Sequence, residues 1–184
     1  MTPAMTPIEA TQHWLERAVI GLNLCPFAKA VHGKQQIRWV HSVARDADAL
    51  LVELVHELQT LAAADPDLID TTVLVHPHAL ADFFAFNDFL AVADAALEQM
   101  GLEGEIQIAS LHPQYQFEGS APGDIENFSN RSPHPTLHLL REASIEHALA
   151  ALPDAAAIYE RNIETLKRLG HSGWARLGIG PGTL

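Results

Sequence analysis

Apolar residues recur every three or four positions in several segments of the chain, which is the spacing of one face of an α-helix. The clearest run follows Asp46. The first helix of the chain is expected to begin within "TPIE", near the amino terminus. There a threonine cap, a proline at the first helical position and a glutamate three residues after the cap combine the signals of a helix start. The predicted helices begin at Pro7, Asp46, Phe83, Ile145 and Asp154.

Four other segments have the pattern of β-strands, being short, apolar and bounded by turn residues. "IRWVHSV" alternates between two sets of side chains, and "TTVLVHP" is a β-branched run. "PTLHLLRE" fits either a helix or a strand, and we assign it to a strand because Ser144 resembles the cap of the helix that follows. The predicted strands are Ile37–Val43, Thr71–Pro77 and residues 105–113 and 135–142.

These elements follow one another in the order αβαβαββαα, which predicts an α/β fold with a four-stranded, mostly parallel sheet covered by helices. The 184 residues suffice for one domain with a proper core. We assign residues 1–170 to that single α/β domain. The glycine-rich segment 171–184 is predicted to be a flexible C-terminal tail.

The connection Gln114–Pro135 is unusually long for a compact domain. Loops of this length without secondary structure are uncommon and are mostly functional or disordered. Its aromatic residues and prolines favour order, because buried aromatics stabilise a loop and prolines reduce the entropy lost on ordering. We therefore predict an ordered lid over the carboxyl ends of the strands.

The net charge of the chain limits the kinds of molecule that the protein is expected to bind. The formal net charge is -12, from 11 Lys+Arg against 23 Asp+Glu. Such a surface repels nucleic acid and anionic membranes, and a small polar or anionic metabolite is the expected partner. Cys25 is the only cysteine, so no intramolecular disulfide can form, and no secretory signal or apolar membrane span is visible. We expect a cytoplasmic protein and leave its oligomeric state open, with a homodimer as one alternative.

Histidines lie near the end of each of the first three predicted strands, at His41, His76 and His112. Carboxyl ends of parallel strands meet at one edge of a sheet, where α/β proteins bind ligands. Converging imidazoles suit a transition-metal ion, and a single imidazole suits the iron of haem. The predicted metal ligands are His76, His112 and His138, although chance can also place some of 11 histidines at strand ends.

The catalytic candidates are His112, Cys25 and Arg131. Cys25 is either a nucleophile with a histidine partner or a small buried apolar residue. Arg131 either holds a carboxylate through two hydrogen bonds or pairs with an acid of its own loop. The predicted substrate-binding residues are Tyr115, Asn130, Arg131 and His134.

Three stretches, "LNLCPFAK", "HPQYQFEG" and "ENFSNRSPHPTLHLLREAS", closely resemble a bacterial family of unknown function, the DUF fourteen-fifteen family. This resemblance covers nearly the whole chain and implies no activity. A fainter resemblance is to the YqcI/YcgG-type proteins, some of which are haem-dependent N-hydroxylases of arginine. It rests on Cys25-Pro26, Leu111-His112-Pro113, Arg131 and Thr136–Leu140, and this chain departs from it in its longer, acidic loop.

Three hypotheses for function follow. The first is an enzyme, with oxidative chemistry as one option, that holds haem or a simple iron ion at a His-lined sheet edge under the loop. The second is a metal-free thiol hydrolase or transferase that uses Cys25 with a histidine base. The third is a non-catalytic binding domain that recognises a partner through the loop.

Overall fold

The computed structural model describes residues 5–152 and 154–180. Its strands are β1 (Ile37–His41), β2 (Thr71–Val75), β3 (Ile106–Leu111) and β4 (Thr136–Arg141). Its α-helices are α1 (Pro7–Trp14), α2 (Ala28–Gly33), α3 (Ala47–Ala63), α4 (Phe83–Gln99), α5 (Glu142–Ala150) and α6 (Ile158–Ala175). A π-helical segment, Leu15–Ile20, continues α1, and short 3₁₀ turns cover Ile125–Asn130 and Ala155–Ala157.

Local signals fix several helix ends. The predicted capping box is confirmed, because Thr6 Oγ1 accepts from the Glu9 N–H while the Glu9 carboxylate accepts from the Thr6 N–H. Asp46 caps α3 by accepting a hydrogen bond from the Ala49 N–H at its side-chain carboxylate. The predicted Ser144 cap is wrong: α5 begins at Glu142, and the Ser144 hydroxyl donates to the Asp70 carboxylate instead.

The four strands form one mixed sheet in the order β1-β2-β4-β3. β1 and β2 pair in parallel, whereas β4 is antiparallel to both β2 and β3. The prediction of an α/β fold with four strands is confirmed, and the prediction of a mostly parallel sheet is wrong. The segment between β3 and β4 contains no helix that could cross back over the sheet. The chain therefore re-enters at the edge where β3 ended and runs in the opposite direction.

The two faces of the sheet are covered differently. Helices α3 and α4 pack on one face over a dry core that includes Leu54, Leu74, Phe86, Leu137 and Leu139, all essentially without solvent exposure. The other face meets α1, the π-helical segment and α6 through a second apolar cluster. Strands β1 and β3 are only half-buried there. This second face is where space for a ligand remains.

The predicted boundary at residue 170 falls inside α6, although Gly170 has a positive φ of 65° that kinks the helix. Beyond the kink, Trp174 is buried, and Leu177 and Ile179 pack against the second apolar cluster. Residues 171–180 thus pack on the domain, and the remaining residues of the predicted tail, 181–184, lie outside the described ranges.

Candidate functional site

A cleft of about 990 Å³ lies on the second face of the sheet. Its floor is formed by the strands, and its walls by α1, α2, α5 and the π-helical segment. π-helical turns are rare and occur frequently at functional sites. The lining is mostly apolar, and a volume near 1,000 Å³ is at the upper end of the range for small-molecule and cofactor sites. The apolar lining residues include Trp14, Leu15, Leu24, Ile37, Trp39 and Leu111.

His138 lies on the floor of this cleft, in the middle of β4, beside Val73 on one neighbouring strand and Ala109 on the other. Its Nε2 is 2.7 Å from the hydroxyl of Thr71, and that hydroxyl is 2.6 Å from the carbonyl oxygen of Leu139. Burial lowers the pKa of His138 to about 4, so its imidazole is neutral at pH 7.

The other ring nitrogen of His138, Nδ1, has no hydrogen-bond partner among the residues that the structure describes. The same nitrogen is not among the buried polar atoms that lack a partner there. The His138 side chain is partly exposed and lines the cleft. A neutral imidazole with an accessible lone pair can bind a metal or accept a hydrogen bond from a ligand.

Two other predicted site residues line the same cleft. Cys25 is half-buried at its wall, near the start of α2, and is a free thiol. Asn130 lies at the carboxyl-end side of the sheet, where its side-chain amide is 3.4 Å from the Ser110 carbonyl. The structure therefore brings Cys25, Asn130 and His138 to one cavity, on three different elements.

His76 and His112 lie on the opposite face of the sheet, against α4. Both rings pack on Phe86, with centroid distances of 5.6 Å and 5.0 Å. His112 uses both nitrogens, because Nδ1 accepts from the Gln114 N–H and Nε2 lies 3.2 Å from the Leu80 carbonyl. The structure thus separates these two predicted ligands from His138 by the sheet itself.

His76 has one unpaired nitrogen. Its Nδ1 is 2.9 Å from the Ala79 carbonyl, and its buried Nε2 has no partner in the described part of the chain. Burial, together with the neighbouring His112, lowers the pKa of His76 to about 4, although the hydrogen bond to Ala79 opposes the shift. This histidine is part of a packed core.

His134 precedes β4 at the carboxyl edge of the sheet and is also buried, with no partner for Nε2 among the residues described. Its pKa is lowered by burial first, and then by the nearby His41 and His78. His41 and His78 are exposed. His134, His41 and His78 thus lie near one another at this edge, whereas His76 and His112 pack against Phe86 in the core.

Arg131 and Tyr115 hold the long loop together. The Arg131 guanidinium donates to the carbonyls of Tyr115 and Pro122 and lies 4.5 Å from the centre of the Phe128 ring. Tyr115 packs its ring on Phe83 of α4, 5.6 Å between centroids. Neither residue lines the cleft.

Two residues that the sequence analysis did not single out are central to this arrangement. Thr71 sets the hydrogen bonding of His138, and buried Asn127 organises the loop. The Asn127 side chain accepts from the Phe117 N–H and the Ser120 hydroxyl and donates to the Ala121 carbonyl. The sequence carried a weak signal for Asn127, since asparagine commonly bonds to nearby backbone in turns.

In residues 5–152 and 154–180, no three His, Cys, Asp or Glu side chains are grouped so that they could hold a metal ion. The same ranges contain no helix that is both long and apolar enough to cross a bilayer. A site that needs only one protein ligand, such as the iron of haem, does not require such a group.

Comparison with known proteins places the chain in a family without assigning it an activity. No curated protein and no solved structure matched it. The fainter resemblance to the YqcI/YcgG-type proteins therefore stays a prediction. A family model described as "Protein of unknown function (DUF1415)" matches residues 6–176. The match covers nearly the whole chain, as its three motifs predicted, and the protein belongs to the DUF1415 family.

Proposed function

We propose that this protein is a small-molecule enzyme that binds haem in the cleft on the second face of the sheet, where His138 would hold the iron, and that its chemistry is oxidative. One observation carries the proposal: a neutral imidazole, with one nitrogen that has no hydrogen-bond partner among the described residues, lines a mostly apolar cleft of about 990 Å³. Haem supplies redox and oxygen chemistry when bound, and the protein supplies its orientation and surroundings.

The ligand arrangement favours haem over a simple ion. The porphyrin provides four of the iron ligands, so one histidine is sufficient. Histidines that bind metals almost always donate their other ring N–H to an oxygen acceptor, which fixes the ring. The bond from His138 to the Thr71 hydroxyl has this form. Exposed Lys34 and His147 also line the cleft, and both are suited to pairing with the carboxylates of such a cofactor.

The test is a titration of untagged protein with haemin, followed by absorption. We expect a shifted Soret band that saturates at one haemin per chain. His138→Gln should weaken binding at least tenfold, because the iron loses its protein ligand. Ala148→Trp, on the half-buried side of α5 that lines the cleft, should also weaken binding by filling the space.

Each variant has a matched control on the helices that cover the opposite face of the sheet. His56→Gln replaces an exposed histidine of α3, and Ala95→Trp enlarges an exposed alanine of α4. Both should bind haemin as the wild type does. Absence of saturable binding, or binding that His138→Gln leaves unchanged, would overturn the haem proposal.

A second candidate is a metal-free thiol enzyme, since Cys25 lines the same cleft as His138. A nucleophilic cysteine should react with iodoacetamide with an apparent pKa well below about 8.5. Fast alkylation of Cys25 in protein that binds no haemin would favour this candidate. Slow alkylation with an ordinary pH dependence would reject it.

A further inference from the structure

Thr71 and His138 project from the same face of neighbouring strands. In the register of β2 and β4, Thr71 pairs with Leu140, so His138 is diagonally opposite, two residues back along the strand. The two side chains meet under the cleft, with 2.7 Å between Thr71 Oγ1 and His138 Nε2. Thr71 is buried and also lines the cleft floor.

The direction of this hydrogen bond follows from its neighbour. A threonine hydroxyl has one hydrogen to donate, and a carbonyl oxygen can only accept. Thr71 Oγ1 lies 2.6 Å from the Leu139 carbonyl oxygen and must give its hydrogen to that bond. Its oxygen is then an acceptor toward His138, so the proton of the neutral imidazole is on Nε2.

We infer that Thr71 is a positioning residue that locks His138 in the Nε2–H tautomer, so that the cleft binds its ligand through the lone pair of Nδ1. The ligand must then offer either a metal centre or a hydrogen-bond donor at this point. A ligand atom that can only accept hydrogen bonds, such as a carboxylate oxygen, would face the lone pair unfavourably. The inference rests on the proposed function only in taking His138 as the residue that meets the ligand.

The tautomer can be measured in the protein without any ligand. Histidine labelled with ¹⁵N gives different ring-nitrogen shifts for protonated and unprotonated nitrogens, and His138→Gln identifies the His138 signals among the 11 histidines. Near pH 7 we expect a protonated Nε2 and an unprotonated Nδ1. The opposite assignment would overturn the inference, whatever the cleft binds.

Substitution at Thr71 then tests the cause. Thr71→Val keeps the shape and removes the acceptor, so the preference for the Nε2–H form should fall about fivefold to tenfold. Thr71→Ser keeps the hydroxyl and should restore the preference for the Nε2–H form. Thr72→Val is the matched control: the next residue on the strand is equally buried, but its hydroxyl has no partner in the described part of the chain. The tautomer of His138 should not change in Thr72→Val.

Haemin affinity supplies a second readout. Loss of the partner that orients a metal-binding histidine commonly costs 10–100-fold in affinity, so Thr71→Val should bind haemin about tenfold more weakly, with rescue by Thr71→Ser. A Thr71-dependent tautomer in protein that binds no haemin would support the inference and reject the haem proposal. An unchanged tautomer in folded Thr71→Val would reject the inference alone. If Thr71→Val does not fold, the wild-type tautomer and the Thr71→Ser spectrum decide the question.

Discussion

Individual histidines serve different purposes according to what surrounds them. His112 has both ring nitrogens bonded, and His76 is packed in the core, while His138 lines the cleft and has one nitrogen without a partner among the described residues. All three have a lowered pKa, and burial is the leading cause in each. A shifted pKa therefore marks burial here, and His138 differs from the other two in that it lines the cleft.

The buried histidines should make the fold sensitive to acid. The pKa of His76 is about 4 in the folded protein and about 6.5 in the unfolded chain. Between these values only the unfolded chain takes up the proton, so stability is complete above about pH 6.5 and falls as the pH is lowered to about 4. The loss from His76 should reach about 3 kcal/mol. Urea unfolding across this pH range measures it.

The contribution of His76 can be isolated by comparing how steeply the free energy of unfolding depends on pH in different variants. His76→Gln should flatten the dependence of unfolding free energy on pH between 6.5 and 4, whereas His56→Gln, at an exposed position, should not. Equal slopes for His76→Gln and the wild type would contradict the assignment of this group.

Cys25 illustrates the opposite case, a reactive residue type in an apolar setting. It packs against the second apolar cluster and makes no side-chain hydrogen bond within the described ranges. We expect Cys25→Ser to retain the fold, to lower the free energy of unfolding by no more than about 1–2 kcal/mol, and to bind haemin as the wild type does. Urea unfolding and the haemin titration check this. Unchanged stability with abolished function would instead identify a catalytic thiol.

At the scale of elements, the loop Gln114–Pro135 is the feature that most departs from regular structure. It is ordered by its own polar side chains, with Asn127 at the centre and Arg131 bridging two carbonyls. Aromatic contacts then attach it to its surroundings, since Tyr115 packs on α4 and Phe128 on α6. The loop is thereby attached to one helix on each face of the sheet.

Asn127 should be the residue on which the loop depends most. Asn127→Ala removes the bonds to the Phe117 N–H and the Ala121 carbonyl from a buried site, which should cost about 2 kcal/mol at roughly 1 kcal/mol for each bond, while the Ser120 hydroxyl can still donate to the Phe117 carbonyl. Hydrogen exchange should accelerate at the Phe117 amide, whose acceptor is lost. Glu118→Ala, at an exposed position of the same loop, is the control. Wild-type protection of Phe117 in Asn127→Ala would show that the loop is held by its aromatics alone.

For the whole molecule, the carboxyl-terminal part of α6 links the two ends of the fold. Trp174 is buried and lies edge-on to Phe128 of the loop, with 5.2 Å between ring centres. It belongs to the same cluster as Trp14 of α1. The side of the sheet that carries the cleft is thus closed by residues from the beginning, the middle and the end of the chain.

Trp174→Ala should therefore destabilise the whole domain and not only its terminus. Removing a buried tryptophan typically costs about 3–5 kcal/mol through lost contacts and the cavity left behind. We expect the midpoint of urea unfolding to fall, with one cooperative transition. Lys167→Ala, at an exposed position of α6, should have little effect. A wild-type midpoint for Trp174→Ala would mean that residues beyond the Gly170 kink are dispensable.

The amino-acid sequence by itself determined the local structure and the family. Helical periodicity located α3 and α4, and short apolar runs located all four strands, because both patterns are set by neighbours along the chain. The capping signals at Thr6 and Asp46 act over three residues and were equally visible. Three sequence motifs were enough to identify the family.

Only the tertiary structure decided how those elements meet. The direction of β4 depends on a loop that does not cross the sheet, and the side to which His138 points depends on strand register, where one residue reverses every side chain. The three histidines were predicted to share one site. For this reason of register, His138 instead faces the cleft, while His76 and His112 pack against Phe86 on the opposite face of the sheet. The contact between Thr71 and His138 joins residues 67 positions apart. No local pattern encodes it, because it exists only when two strands pair in this register.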